Sequence, residues 1–274
     1  MENDSTSATS PAWPTRWPSN SFRVAPTLGF VFAAAGLFLA VLFIGAFVAA
    51  WWLYAHHHGA EITATARNQS NASPAVFMAL STAQGVAEAL LVLAIVAAMP
   101  LLSHFSRREL GFRAITLPTI GWALLGAVGM VIVADVASSV IQSLFPHLLH
   151  AQAVEKIFRR LRNVQGGIAF FFVYAVIVQP VAEETVFRVL IFNVALRYGG
   201  FWFGAIVSGA LFGAVHTLTG SADVVSGVLL GLGGMVLCAV YYFSRNAYAS
   251  MISHGLFNGL SIALIYFFPK VAGG

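Results

Sequence analysis

Charged residues are the first thing that this chain has little of. Only 9% of its 274 residues are Asp, Glu, Lys or Arg, whereas 59% are hydrophobic. A soluble domain carries about 25% charged residues, and no packing in water would hide so much apolar surface. The composition therefore predicts an all-α, polytopic membrane helix bundle. The basic residues behind the net charge of +4 are scattered, so we expect loops that touch anionic lipid headgroups and no nucleic-acid partner.

Cysteine is nearly absent as well. The single cysteine, Cys238, lies inside an apolar run, which excludes an internal disulfide and a zinc site made of thiolates. The chain also has no His-Glu-x-x-His sequence, the helical motif with which many proteases bind zinc. The spacing of the histidines therefore does not point specifically to zinc.

Apolar segments dominate what is present. A helix needs about 20 apolar residues to cross the hydrocarbon core, and more if it is tilted, so the shorter apolar segments of this chain are expected to be partly re-entrant. Before the first segment, residues 1–26 are polar and rich in Pro and Ser, and we expect a disordered tail followed by a single membrane-embedded domain at 27–274. We predict eight apolar segments, at about 27–54, 75–102, 119–145, 167–182, 184–198, 201–217, 222–243 and 247–268.

One stretch between the third and fourth segments is amphipathic. Val154, Ile157, Phe158 and Leu161 recur at helical spacing, opposite basic side chains. This pattern is typical of a helix that lies on the membrane surface. The basic residues of the loops are divided too evenly to indicate which side of the membrane each loop faces.

Ionisable side chains inside the apolar segments are candidate functional residues, because each costs about 2.5–3.5 kcal/mol on insertion scales. The candidates are Glu88, Asp135, Glu183, Glu184, Arg188, His216, Asp223 and His254. Asp223 precedes an apolar run and fits a helix N-cap. The run His56 to His58 follows the first segment and is interpreted as an interfacial loop.

The stretch "QPVAEETVFRVL" holds most of this charge. Glu184 and Arg188 are four residues apart with the acid first, which favours an ion pair on one helix face. Glu183 lies about 100° around the helix from Glu184, so it is available as a general base or acid. Pro180 predicts that a helix begins or kinks here, which would place both carboxylates near a helix N-terminus whose dipole favours anions.

Two later segments supply possible partners. His216 has Phe212 four residues before it, and His254 has Asn258 four residues after it. If these faces converge on Glu183, a base, two imidazoles and an amide donor share one cavity, which suffices to activate a water and stabilise an oxyanion. Small residues that let helices approach closely flank the positions: Gly209, Ala210, Gly213, Gly255 and Gly259.

Two other interpretations of the same residues stay open. Glu183, His216 and His254 are also the donor set of a hydrolytic zinc site. Alternatively, the cluster together with Glu88 and Asp135 forms the proton or ion pathway of a transporter. Nothing in the sequence places Glu88 or Asp135 relative to the other ionisable residues.

Taken together, "EETVFR", "LFGAVH" and "SHGLFN" resemble the CPBP family, which comprises the CAAX prenyl endopeptidases of the Rce1 type and the bacteriocin-processing and immunity-associated (Abi) membrane proteins. The family pattern is Glu-Glu-x-x-x-Arg, Phe-x-x-x-His and His-x-x-x-Asn or Asp, and the resemblance covers about 165–268. Val189 departs from it, since Gly often follows the Arg.

The resemblance implies an eight-helix intramembrane endopeptidase that acts on a peptide or protein in or at the membrane, either prenylated or a peptide precursor. It implies that Glu183 with His216 activates the water and that His254 and Asn258 hold the oxyanion. The supporting residues are then Glu184, Arg188 and Phe212. A mechanism without a metal or other cofactor is expected, zinc being the alternative, and so is a location in the plasma membrane. Some relatives would instead act as scaffolds or immunity factors without proteolysis.

Overall fold

The computed structural model describes residues 28–56, 59–60, 73–102, 106–147, 158–219 and 221–267. The predicted tail at 1–26 lies outside these ranges, and so do most of the predicted surface helix and two of the three consecutive histidines. The last turn of that surface helix, 158–161, is described as helical. Its Phe158 and Leu161 are buried and its Arg159 and Arg160 are exposed, so this turn is amphipathic as predicted.

Long apolar helices make up the described part of the chain, and no strand occurs there. Six helical stretches are long and apolar enough to cross a membrane by length and composition. The prediction of an all-α membrane bundle is confirmed. The stretches are α1 (Leu28–Ala55), α2 (Pro74–Leu102), α3 (Leu117–Leu144), the long stretch Gly167–Leu218, α6 (Val224–Ser244) and α7 (Ala247–Phe267).

The 52-residue stretch Gly167–Leu218 is too long for a single span, because about 20 residues suffice to cross the hydrocarbon core. Gly200 has a non-helical backbone, with φ 72° and ψ −164°, and divides the stretch into α4 (167–199) and α5 (201–218). Glycine tolerates this positive φ because it has no Cβ. The described bundle therefore has seven spans.

The segments predicted separately at 167–182 and 184–198 are one continuous helix, α4, and the helix start expected at Pro180 does not occur. Two π-helical segments, Tyr174–Val178 and Thr185–Phe192, alternate with α-helical ones along α4. The residues on either side of Pro180 keep helical dihedrals, with Val178 at φ −66° and ψ −55°. Glu183 and Glu184 consequently lie in the middle of a helix, and no N-terminal dipole acts on them.

Helix α4 lies at the centre of the bundle. It packs against α1, α2, α5, α6 and α7, and every residue from 182 to 196 is buried. A helix that is buried all round needs apolar residues on every side, which explains why apolar residues surround Glu183, Glu184 and Arg188 in its sequence. The polar side chains of its central part consequently face other helices and not lipid.

Helices α5 and α6 approach closely through four glycines. A Cβ on Gly209 would lie 2.6 Å from the carbonyl oxygen of Gly231, and a Cβ on Gly213 would collide with the carbonyl oxygen of Gly227. Only glycine allows backbones to come this near, as in the small-residue interfaces of membrane helices. The same crossing places the backbone of α6 against the side chains of α4.

Asp223 caps the N-terminus of α6, as its position predicts. Its Oδ1 accepts a hydrogen bond of 2.7 Å from the backbone N–H of Ser226. Asp223 therefore has a structural role at the end of the helix.

Candidate active site

The ion pair predicted within α4 is present and fully buried. Nη1 of Arg188 lies 3.1 Å from Oε1 of Glu184, and neither side chain is exposed. Nη2 of Arg188 donates a hydrogen bond of 3.1 Å to the carbonyl oxygen of Gly234 on α6. Because the acid and the guanidinium neutralise each other and also reach a second helix, the pair ties α4 to α6.

Glu183 points away from this pair, toward the two histidines. Its Oε1 lies 3.6 Å from Nε2 of His216 on α5, and its Oε2 lies 3.7 Å from Nε2 of His254 on α7. Both distances exceed a direct hydrogen bond of about 3 Å. The three helices thus bring one carboxylate and two imidazoles to a single point, although the residues are distant in sequence.

The other ring nitrogen of each histidine is bound to the protein. Nδ1 of His216 lies 2.9 Å from the carbonyl oxygen of Phe212, and Nδ1 of His254 lies 3.0 Å from Oε1 of Glu184. A carbonyl oxygen and an ion-paired carboxylate only accept hydrogen bonds, so we assign the proton of each imidazole to Nδ1. In the neutral ring the Nε2 lone pair of each histidine then faces Glu183.

Phe212 holds the imidazoles from the side. Its ring centroid is 4.6 Å from that of His216 and 5.9 Å from that of His254. The guanidinium carbon of Arg188 lies 4.7 Å from the same ring, within the range of a cation–π contact. Phe212 therefore packs between the ion pair and both histidines.

Asn258 lies beside α4 and not beside Glu183. Its Nδ2 donates a hydrogen bond of 2.8 Å to the carbonyl oxygen of Ala175. Ala175 lies in the π-helical segment, where a carbonyl bonds the N–H five residues later. That residue is Pro180, which has no N–H, so Asn258 supplies the missing donor.

Gly255 makes this contact between α7 and α4 possible. A Cβ at position 255 would lie 2.5 Å from the carbonyl oxygen of Val176, the residue four positions before Pro180. Because Pro180 leaves the carbonyl of Ala175 without its helical N–H, α7 lies against this turn through a glycine and an asparagine. The position of His254, one residue before Gly255, depends on this close approach.

A cavity of about 260 Å³ begins at the histidine of α7 and extends along α4 and α7. Its lining on α4 is spaced by four residues, at Phe171, Ala175 and Gln179, so that these side chains follow one helix face. The remaining lining residues come from α3, α5, α6 and α7: Met130, Ala134, Ser138, Phe212, Ser226, Leu229, Leu230, Gly233, His254, Phe257, Asn258, Ser261, Ile262 and Ile265. The cavity wall is thus mostly apolar, with a few polar residues that include Gln179, His254 and Asn258.

Glu88 is a buried carboxyl group close to the candidate site, and sequence reasoning did not place it. It lies on α2, which packs against the part of α4 that bears Glu183. Its side chain is almost fully buried and interacts electrostatically with Glu183. Within the described residues its Oε2 has no hydrogen-bond partner. Asp135, the other unplaced acid, is exposed on α3.

The donor set of the zinc alternative does not form a metal centre. Within the described part of the chain, no group of three or more His, Cys, Asp or Glu side chains has an arrangement that would hold a metal ion. Each histidine donates from Nδ1 to a protein oxygen, as zinc-binding histidines also do, so these contacts do not distinguish the two interpretations.

Residues 164–260 match the family described as Rce1-like, type II CAAX prenyl endopeptidase. This segment is an Rce1-like domain. It contains α4, α5, α6 and most of α7, and with them every candidate catalytic residue. The family resemblance seen in the three motifs is confirmed, and with the apolar helices it indicates a multi-pass membrane protein. Comparisons with curated proteins and with solved structures found no significant match.

Three features of the Rce1-like domain and its surroundings were missed by sequence reasoning. The role of Pro180 in freeing a carbonyl for Asn258 has a local signal. A π-helical hydrogen bond joins residues that are five apart, as Ala175 and Pro180 are. Gln179 also has a signal, because it stands one helical turn before Glu183. The position of Glu88 near the candidate site has no such signal in the sequence, since α2 lies outside the segment that matches the family.

Proposed function

We propose that this protein is an intramembrane endopeptidase of the CAAX-protease type that hydrolyses a peptide bond with a water activated by Glu183. The observation that supports it is the position of Glu183 between the Nε2 atoms of His216 and His254, at 3.6 and 3.7 Å. A water molecule between them donates one O–H to the carboxylate and one to an imidazole. An oxygen lone pair then remains for attack on a carbonyl carbon.

In the proposed reaction, Glu183 accepts one proton of the water, which also donates a hydrogen bond to Nε2 of His216, as the water oxygen bonds to the scissile carbonyl carbon. The oxyanion is stabilised by the second amide N–H of Asn258 and by an Nε2–H of His254 that is present before the step begins and is retained throughout it. The C–N bond then breaks and Glu183 passes its proton to the leaving amine, so that atoms and charges balance. Glu184 and Arg188 hold His254 in its orientation, and Phe212 holds both rings. No metal or other cofactor takes part in this proposal.

The substrate that we propose is a peptide or protein in or at a bilayer, either prenylated or a peptide precursor. The mostly apolar cavity wall suits an apolar segment, and a cavity between helices limits the water that reaches the reacting bond. We propose the plasma membrane as its location, which follows the expectation from the sequence.

The test uses the full chain in nanodiscs and an internally quenched peptide that ends in S-farnesylcysteine followed by three apolar residues. Cleavage by the wild type should fall by at least about a thousandfold in Glu183→Gln and in Glu183→Ala, since the base is lost in both. Asp135→Asn is the matched control, because it removes an exposed carboxylate of α3. Cleavage that persists in both Glu183 variants would overturn the proposal.

Metal dependence is tested on the same preparation. We expect purified protein to cleave the peptide after dialysis against a chelator and to contain less than stoichiometric zinc. Stoichiometric zinc that disappears in His216→Ala would instead support the zinc-dependent interpretation.

A further inference from the structure

Gln179 is a polar residue in the cavity wall that the proposed chemistry does not use. It lies on α4 one helical turn before Glu183 and one turn after Ala175, and it lines the cavity together with His254 and Asn258. Its side chain is half-buried. Among the residues that the structure describes, none forms a hydrogen bond with its carboxamide.

Three of the other polar residues in the cavity wall, Asn258, Ser261 and His254, differ from Gln179 in this respect. Asn258 donates to the carbonyl oxygen of Ala175, and the hydroxyl of Ser261 donates to the carbonyl oxygen of Phe257. His254 is bound to Glu184. Gln179 therefore presents a donor and an acceptor that are not engaged by these neighbours, in a wall that is otherwise mostly apolar.

A carboxamide carries the same two hydrogen-bonding groups as a peptide unit, one N–H donor and one C=O acceptor. It can thus pair with a main chain without regard to the side chains of the substrate. Leaving the N–H and C=O of a substrate unpaired in an apolar cavity would weaken its binding, because each group loses its hydrogen bond to water without replacement. A partner such as Gln179 removes that cost.

We propose that Gln179 binds the main chain of the substrate at the peptide unit about two residues from the scissile bond. The proposal rests on the proposed function. Its register follows from helix geometry: four residues along α4 correspond to a rise of about 6 Å, and an extended chain advances about 3.3 Å per residue. A substrate that runs along the face of Ala175, Gln179 and Glu183 therefore has two residues between Gln179 and the bond that Glu183 attacks.

The experiment measures binding and cleavage separately. Binding of the farnesylated peptide is measured by fluorescence anisotropy on Glu183→Gln protein, with and without the change Gln179→Leu. Gln179→Leu keeps the size of the side chain but removes both hydrogen-bonding groups, and it should raise Kd by about tenfold, as expected for one or two neutral hydrogen bonds. Cleavage by Gln179→Leu in the otherwise wild-type chain should show a raised KM and a kcat within about threefold of wild type, as expected when uniform binding is lost.

Gln142→Leu is the matched control. Gln142 lies on the exposed part of α3, where its carboxamide donates to the carbonyl oxygen of Pro146, so its loss should not change Kd. Gln179→Asn, which retains the carboxamide on a shorter stem, should recover part of the affinity. Thermal unfolding of each variant shows whether the helix bundle is intact.

Two ester analogues of the peptide locate the contact. In each, an oxygen replaces the peptide N–H two residues from the scissile bond, on the N-terminal side in one and on the C-terminal side in the other. For one of them Gln179→Leu should raise Kd by less than it does for the parent peptide, because the hydrogen bond from the substrate N–H is already lost. If Gln179→Leu raises the Kd of all three peptides equally, the proposed contact two residues from the scissile bond is wrong.

The outcomes separate the two proposals. If wild type cleaves the peptide but Gln179→Leu binds it as Gln142→Leu does, the role of Gln179 is wrong and the proposed function stands. If the peptide is not cleaved but its binding depends on Gln179, the function fails while peptide binding at Gln179 stands.

Discussion

Glu184 accepts a hydrogen bond from His254, which lies 70 residues later in the sequence, with 3.0 Å between Oε1 of Glu184 and Nδ1 of His254. The same oxygen lies 3.1 Å from Nη1 of Arg188. One carboxylate therefore compensates a buried cation and orients the imidazole that faces Glu183. The ion pair of α4 and the orientation of the candidate site are one structural unit.

Breaking this unit should affect stability and cleavage differently. Glu184→Gln leaves Arg188 without its anion in a buried position, and we expect a loss of about 3–5 kcal/mol in the free energy of unfolding. Replacing both partners, as Glu184→Leu with Arg188→Met, should recover most of that stability, because no uncompensated charge remains. Cleavage should stay low because Nδ1 of His254 has lost its acceptor. Thermal unfolding in detergent and cleavage of the farnesylated peptide check the two effects.

Two results for the double variant would contradict this prediction. A double variant that is no more stable than the single Glu184→Gln would show that the charge is compensated by other groups. A stable double variant with normal cleavage would show that Glu184 does not position His254.

Gly255→Ala should disturb the contact between α7 and α4. The added Cβ would lie 2.5 Å from the carbonyl oxygen of Val176, so α7 must move, at a cost of about 1–3 kcal/mol for overpacking. Since His254 and Asn258 move with the helix, we expect kcat to fall by tenfold or more, on the order of 1.4 kcal/mol. Gly121→Ala on α3, where a Cβ would meet nothing within 4 Å, is the control and should be neutral or stabilising. Normal cleavage by Gly255→Ala would mean that the bundle tolerates the displacement.

Pro180→Ala tests the free carbonyl of Ala175. The new N–H can bond to that oxygen and compete with Asn258, which now donates to it at 2.8 Å. We expect the unfolding temperature to rise or stay unchanged, because alanine favours a helix interior, while cleavage falls. Pro118→Ala is the matched control, since Pro118 lies in the first turn of α3 where no N–H is required. Reduced cleavage in Pro118→Ala but not in Pro180→Ala would contradict the role of the carbonyl.

Glu88→Gln should change catalysis, because Glu88 interacts electrostatically with Glu183. Glutamine keeps the shape and removes the carboxyl, so we expect an altered pH profile of kcat with a similar unfolding temperature. Asp135→Asn, on the exposed face of α3, should leave the profile unchanged. A proton flux in proteoliposomes that both changes abolish would support the transporter interpretation in place of the protease.

The features that the sequence predicted correctly are those that depend on local geometry alone. A span is recognised because about 20 apolar residues suffice to cross lipid, and six of the seven spans match their predicted ranges closely. The Glu184–Arg188 pair was predictable because helical residues four apart are neighbours whatever the rest of the chain does. The two segments predicted at 167–182 and 184–198 are one span, α4. The sequence did not predict this because the continuation of the helix depends on contacts with another helix and not on local geometry. A break was inferred at Pro180, whereas the π-helical turn and a donor from α7 allow the helix to continue.

The sequence by itself determined that this chain is a membrane bundle and that Glu183 is the carboxylate of α4 left over from the ion pair. It could not determine which groups face Glu183, because His216 and His254 are 33 and 71 residues away along the chain and a helix face has several possible neighbours. Tertiary packing decided that, through the glycine contacts of α5 with α6 and of α7 with α4. It also decided that Glu88 approaches the site, that Asp135 does not, and that Gln179 faces the cavity, because helix rotation depends on packing between helices and not on the apolar composition that all of them share.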